Sequence, residues 1–256
     1  MNPSDTPKPA PILLVTGGSR GIGAAAARLA AQRGWDVAVN YTRDRAAAEA
    51  VAADVRAAGR RALLVQADVG DDAQVVAMFQ QVDSELGTLQ GLVNNAGVVD
   101  VPSRVDGMTP ARLQRMFAIN VFGSFACARE AVRRMSSLHG GTGGSIVNLS
   151  SAAARIGAGG QYVDYAAAKG AIDVFTLGLA REVATEGVRV NAVRPGIIET
   201  DIHASGGQPD RAAQMAPLVP MRRSGTSEEV AEAIVWLLSD ASSYTTGSVV
   251  DVTGGR

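Results

Sequence analysis

Short apolar runs of strand length alternate with longer stretches whose apolar residues recur at helical spacing, and the alternation continues from Ile12 to Val252. The pattern predicts strands over Ile12–Thr16, Val37–Val39, Ala62–Val65, Gly91–Val93, Ser145–Leu149, Arg189–Val193 and Ser248–Val252. Between them it predicts helices over Ile22–Arg33, Asp44–Ala58, Asp72–Leu86, Pro110–Met135, Tyr162–Thr185 and Ser227–Leu238. Gly34, Gly59 and Gly87 stand where helix C-terminal caps belong. Strands separated in this way by helices imply βαβ crossovers, and so an α/β fold with a doubly wound parallel sheet covered by helices on both faces. Glu199–Gly225 fits neither period and is long for an ordinary connection; stretches of that kind are functional lids or disordered. Ligands of such sheets bind beyond the carboxyl ends of the strands, which directs attention to the motifs found there.

Composition narrows the classes. With 256 residues, 46% of them apolar, the chain can bury a full core, and one domain over 12–256 fits better than two small ones. The net charge is −1 and both signs are spread along the chain, so neither a nucleic acid nor a membrane surface is expected as a partner. Cys127 is the only cysteine, which rules out an intrachain disulfide, and two histidines without nearby cysteines argue against a structural zinc; no metal is expected. A reducing cytoplasm is the natural compartment. The first eleven residues, rich in proline and polar side chains, read as a frayed tail rather than a signal peptide, and no run reaches the roughly 18 apolar residues of a membrane helix.

Two motifs carry chemistry. The first predicted strand ends in Thr16-Gly17-Gly18-Ser19-Arg20-Gly21-Ile22-Gly23, and a helix begins at once. Glycines permit a tight turn and a close approach of backbone to a pyrophosphate, which then sits on the N–H groups of the helix. Farther on, Tyr165 and Lys169 are four residues apart on a predicted helix, so both lie on one face. A phenol titrates near 10, too high to act easily near neutrality, and a neighbouring ammonium is expected to lower that value, letting Tyr165 give or take a proton. Ser151 offers a hydroxyl to hold a substrate oxygen.

These residues, with Asn94-Asn95-Ala96-Gly97, Asn120 in Phe117-Ala118-Ile119-Asn120, Ser150-Ser151, and Pro195-Gly196 followed by Thr200, resemble the short-chain dehydrogenase/reductase family over nearly the whole chain. Its bacterial sugar-dehydrogenase-like and 3-oxoacyl-carrier-protein-reductase-like members are similar. The resemblance implies a Rossmann-like fold and an oxidoreductase that moves a hydride between a nicotinamide cofactor and a carbonyl or secondary alcohol. It assigns catalysis to Ser151, Tyr165, Lys169 and Asn120, with Lys169 also on the nicotinamide ribose and Asn120 holding a water of a proton relay. It assigns cofactor contacts to Gly17, Ser19, Arg20, Gly21, Ile22, Gly23, Asn40, Tyr41, Thr42, Arg43, Asp68, Val69, Asn95, Ala96, Gly97, Tyr165, Lys169, Pro195, Gly196, Ile198 and Thr200. The C-terminal segment from Tyr244 resembles one that packs between subunits in many members, which implies a homotetramer.

The chain departs from the family pattern at two places. Ser151 precedes Tyr165 by fourteen residues, one more than the commonest family spacing. Either Ala152–Asp164 carries an extra residue or the hydroxyl is another, Ser150 included. The second predicted strand runs into Asn40, where NAD-binding relatives carry a carboxylate for the ribose hydroxyls. With Arg20 in the glycine turn and Arg43 after the strand, NADP(H) is expected over NAD(H), the other reading being that both arginines are solvated loop residues. Tyr162, with alanine rather than lysine four residues on, is expected to line or flank the substrate pocket. His139 and His203 read as solvated loop residues, and Arg129, Arg133 and Arg134 as a solvated helix face rather than a dock for an acidic carrier. A non-catalytic dinucleotide binder is the alternative class, against which the intact proton-transfer set argues.

Overall fold

In a computed structural model, residues 9–256 are described, and the strand sequences form one seven-stranded sheet. Its strands are β1 (Ile12–Val15), β2 (Asp36–Tyr41), β3 (Ala62–Gln66), β4 (Gly91–Asn94), β5 (Gly144–Leu149), β6 (Val188–Pro195) and β7 (Val249–Val252). The helices, in chain order, are α1 (Gly21–Gln32), α2 (Arg45–Ala57), α3 (Asp72–Glu85), α4 (Pro110–Phe117), α5 (Gly123–Met135), α6 (Ala153–Ile156), α7 (Val163–Val183), α8 (Ile202–Ser205), α9 (Arg211–Met215) and α10 (Ser227–Leu238). The strand order is β3-β2-β1-β4-β5-β6-β7, every pair parallel. Connections leave β1 toward β2 on one side and resume at β4 on the other, so a crevice opens between the ends of β1 and β4, the place where such sheets bind ligands.

Alternate residues of each strand feed two cores. Leu13, Val15, Val37 and Val39 pack with the alanines of α1 and with α10, whereas Ile12, Leu14 and Ala38 pack with Phe79, Met78 and Cys127 of α3 and α5. Ala24, Ala26, Ala27 and Ala30 are buried, and their small side chains let α1 lie close to the sheet and bring its N-terminus over the crevice.

Four expectations are corrected here. The helix expected over Pro110–Met135 is interrupted by a π-helical turn at Ala118–Phe122, and this turn carries Asn120. The second strand runs two residues past Val39, which puts Asn40 and Tyr41 in the sheet, because both pair with β3. The stretch Glu199–Gly225 is not irregular: it holds α8, α9 and a short 3-10 turn at Ala216–Leu218. Its base is clipped by a parallel bridge between Ile198 and Gly225. Of the expected tail, residues 1–8 lie outside the described residues, and the carbonyl of Pro11 already accepts from the Asp36 N–H at the sheet's start. Among the described residues no helix is long and apolar enough to cross a membrane.

Candidate active site

The glycine turn is held by side chains from three strands. The Thr16 hydroxyl donates to the Val93 carbonyl (3.2 Å) and accepts from the N–H groups of Asn95 and Ala96 (both 3.0 Å). Asn95 Nδ2 donates to the carbonyls of Thr16 (2.9 Å) and Gly17 (3.0 Å). The backbone crossing is tight: Gly17 and Gly21 have φ of +60° and +53°, and a Cβ on Gly23 would lie 2.5 Å from the Gly17 carbonyl oxygen. Only glycine fits there. Among the described residues no side chain caps the N-terminus of α1, whose first-turn N–H groups point toward the cleft as an anion site would need.

Asn40 does something other than mark a missing carboxylate. It is 1% exposed; its Oδ1 accepts from Gly17 N–H (3.1 Å) and its Nδ2 donates to the carbonyls of Val65 (3.3 Å) and Ala67 (3.0 Å). Its side chain ties the turn to β2 and β3. The exposed positions at this rim are Thr42, Arg43 and Asp44, which line the same cleft as the exposed Arg20.

One cleft gathers Gly17, Ser19, Arg20, Gly21, Ile22, Asn40, Tyr41, Thr42, Arg43, Asp68, Val69, Asn95, Ala96, Gly97 and Thr200. An adjoining cavity of about 160 Å³ is lined by Ser151, Tyr165, Lys169, Pro195, Gly196, Ile198 and, again, Thr200. Gly23 lines neither space and acts only through the shape of the turn. The buried Asn120 also lines neither. The π turn lets its Nδ2 donate to the carbonyls of Val98 (3.0 Å) and Met116 (3.0 Å), while its Oδ1 accepts from Val98 N–H (3.2 Å). A Cβ on Gly97 would stand 2.8 Å from Asn120 Oδ1 and 3.6 Å from Lys169 Nζ, so these two groups flank Gly97 together.

Tyr165 and Lys169 lie on α7, whose N-terminus is fixed by a buried ion pair. Arg112 of α4 meets both oxygens of Asp164 (2.7 and 3.2 Å) and donates to the Val101 carbonyl (2.6 Å). Lys169 Nζ donates to the Leu149 carbonyl at the end of β5 (2.7 Å) and stands 5.6 Å from the Tyr165 ring centroid. Burial pulls the ammonium down to about 8, with Asp173 opposing that change. The Tyr165 ring is half-buried, but its hydroxyl is enclosed, and burial pushes the phenol up to about 12 against a hydrogen bond with Ser151. The lowering expected from Lys169 is not found: the phenol is raised by desolvation, and what opposes this is the Ser151 hydrogen bond. Ser151 is the serine facing Tyr165, since the buried Ser150 hydroxyl donates to the Lys169 carbonyl (3.3 Å). The longer Ser151-to-Tyr165 spacing is taken up between α6 and α7, where Gly157, Ala158 and Gly160 are all left-handed (φ +75°, +49° and +74°).

Several residues of the site escaped the sequence reading. Thr16 was within the quoted motif, and its hydroxyl could have been suspected. Arg112, Gln208 and Arg211 had no local signal, because their partners lie far along the chain. Tyr162 does flank the cavity: it is buried, its hydroxyl donates to Gln208 Oε1 (2.9 Å), and the Arg211 guanidinium lies 5.2 Å from its ring centroid. Arg129 and Arg133 are exposed, as a solvated face requires, and with the partly buried Arg134 they surround the buried Glu130; Arg134 also meets Asp83 and Arg129 meets Asp72. The His203 side chain lies outside the described residues.

A family profile described as enoyl-(acyl carrier protein) reductase matches residues 17–256. The chain is 54% identical to an uncharacterized oxidoreductase of Escherichia coli, YgfF, over 96% of this chain and 99% of that one. It is 36% identical to the 3-oxoacyl-[acyl-carrier-protein] reductase FabG of Staphylococcus aureus, over 94% of this chain and 96% of the relative. Among solved structures, a short-chain dehydrogenase from Burkholderia cenocepacia in complex with NADP is similar with a TM-score of 0.87 and 32% identity, over 95% of this chain and 96% of that one. With the doubly wound sheet, the glycine turn and the Ser151, Tyr165 and Lys169 cluster in one cleft, these likenesses establish that the chain belongs to the short-chain dehydrogenase/reductase family and is an NAD(P)-dependent oxidoreductase.

Proposed function

We propose that the protein is an NADPH-dependent carbonyl reductase, or acts in reverse on the matching secondary alcohol. The observation that carries this reading is the convergence of Ser151, Tyr165 and Lys169 on one cavity that opens onto the dinucleotide cleft. A non-catalytic binder would have no use for that set.

The residues fit the dinucleotide: the uncapped N-terminus of α1 and the Gly17–Gly23 turn suit a pyrophosphate, and a Cβ at Gly17 would lie 3.0 Å from Ala96 Cα. When bound, the nicotinamide supplies or accepts the hydride. The protein's residues handle the substrate oxygen and the proton. Ser151 holds the oxygen, and Tyr165, protonated at neutral pH as any phenol is and held so more firmly by burial, donates the proton to it. Lys169, held at the Leu149 carbonyl, keeps a cation beside the ring and reaches the ribose. Asn120, flanking Gly97 with Lys169, holds the water that returns the proton. The remaining lining of the cleft positions the cofactor, and 199–225 acts as a lid over the substrate.

Arg20 and Arg43 at the exposed rim support a 2′-phosphate, for which a guanidinium gives charge-assisted, bidentate contacts. Phe122 at the end of the π turn, Phe125 of α5, and Val174 and Leu177 of α7 are exposed apolar side chains, and we assign this surface to contact between copies in a homotetramer. A lone cysteine, fully buried, suits the cytoplasm.

The test is NADPH and NADH oxidation measured against ketone, sugar, 3-oxoacyl-thioester and enoyl-thioester substrates. Turnover of a carbonyl substrate is expected, with NADPH favoured over NADH by at least about tenfold in kcat/KM, since ~1.4 kcal/mol suffices for that. A preference for NADH would overturn the assignment of Arg20 and Arg43, and turnover of the enoyl thioester alone would overturn the carbonyl reading.

A further inference from the structure

The cavity beside Tyr165 is apolar and carries positive charge without a balancing acidic side chain among the described residues. Lys169, Arg211 and Arg256 line it with side chains such as Val99, Ile156 and Ile202, and no Asp or Glu does among the described residues. The chemistry proposed above uses Lys169. It has no use for Arg211.

Arg211 is held in place by neutral partners only. Its Nη1 donates to Gln208 Oε1 (2.7 Å), its Nη2 donates to Gln161 Oε1 (2.9 Å), and its Cζ lies 5.2 Å from the Tyr162 ring centroid. Gln208 Oε1 also accepts from the Tyr162 hydroxyl (2.9 Å), which fixes the amide that fixes the arginine. Among the described residues Arg189, like Arg211, bonds only neutral acceptors, but it does not line this cavity, whereas Arg112 meets the Asp164 carboxylate at 2.7 Å, Arg194 meets Asp173 at 2.8 Å and Arg223 meets Glu229 at 2.6 Å. Among the described residues, Arg211 has no such partner. A guanidinium is charged at every working pH and presents five donors, of which these two bonds use two. It is thus preorganised, by the Tyr162 ring beside it and by two amides, to receive a carboxylate.

The position suits a group on the substrate. Tyr162 precedes Tyr165 by about one helical turn, so side chains at the two positions are neighbours. A molecule with its reacting oxygen at Tyr165 and an acid at Arg211 has to be short. The cavity, about 160 Å³, is close to the roughly 150 Å³ of an apolar cavity that takes up benzene. We propose that Arg211 is a specificity-determining residue that binds a carboxylate of the substrate. The enzyme's substrates are then ketones, or the matching secondary alcohols, built on a six-membered ring or a chain of similar size and carrying an acid group away from the reacting carbon. This inference rests on the function proposed above.

A latch between lid and catalytic helix would use the same contacts, so the test has to read the substrate's charge. It compares kcat/KM with NADPH for 4-oxocyclohexanecarboxylate and its methyl ester in the wild type, Arg211→Met and Arg211→Lys. The wild type should favour the acid by at least about tenfold, Arg211→Met should bring the ratio near one, and Arg211→Lys should restore part of it. A loosened lid would lower both rates and leave the ratio standing. A wild-type ratio near one, or a wild-type ratio retained in Arg211→Met, overturns the proposal. Calorimetry of cyclohexanecarboxylate on the NADP-loaded protein decides independently of turnover, and so separates this inference from the proposed reaction. The acid should bind at least about tenfold more weakly to Arg211→Met than to the wild type, and equal affinities, or no binding to the wild type, overturn the proposal. Should Arg211→Met fail to fold, Arg211→Gln supplies the uncharged side chain for both measurements.

Discussion

Lys169 sits on the buried face of α7, 4% exposed, with its ammonium on the Leu149 carbonyl and its pKa pulled down to about 8 by burial. In the unfolded chain it keeps its proton up to the ordinary value of 10.5. At pH 7 both states are charged, and the folded one bears the desolvation cost. Between about 8 and 10.5 the folded state releases its proton first, the unfolded state binds more protons, and stability rises with pH. Lys169→Met should therefore stabilise the protein at pH 7 by on the order of 1–3 kcal/mol, less whatever the Leu149 carbonyl loses with its donor. Urea unfolding at pH 7 and again near 10.5 checks this. The gap between variant and wild type should close at the higher pH, and a gap independent of pH would contradict the account. Tyr165 and Lys169 were legible in the sequence because a spacing of four on a helix is a local property. Asn40 was not: its side chain is turned inward by Gly17, Val65 and Ala67, none of them its chain neighbours.

At the scale of elements, the start of α7 is set by the pair Arg112–Asp164, whose side chains are 9% and 0% exposed. The carboxylate sits in the first helical turn and holds Arg112 charged, its pKa raised chiefly by their hydrogen bond. Removing one partner leaves a buried, uncompensated charge, so Arg112→Met should cost about 3–5 kcal/mol in chemical unfolding. Arg112→Met combined with Asp164→Leu should recover much of the loss. A single-variant loss under about 1 kcal/mol would mean that water reaches Asp164. The long, strongly periodic helices and the strands were readable in outline. The π turn at Ala118–Phe122 was not, since one extra residue per turn leaves an apolar pattern almost unchanged. Nor were α8 and α9, which at four and five residues are too short to display a period.

Across the whole molecule, the parallel sheet with its order reversing between β1 and β4 gathers side chains from distant parts of the chain at one end. The sequence motifs foretold which strand ends would matter, and the sheet order explains why they meet. The cavity beside Tyr165 was illegible, because its apolar wall from Val99 to Ile202 carries no motif and the 199–225 segment reaches Tyr162, at the N-terminal end of α7, through Gln208 and Arg211, far along the chain. Fold alone would serve a binder as well as an enzyme. What distinguishes them is a proton donor where hydride transfer leaves charge on oxygen. The most direct measurement of that claim is the rate of NADPH oxidation with a ketone substrate by the wild type and Tyr165→Phe, alongside NADPH affinity by fluorescence. The account predicts turnover lowered about 100- to 10,000-fold in the variant, with cofactor affinity nearly unchanged. Turnover near that of the wild type in Tyr165→Phe would contradict it.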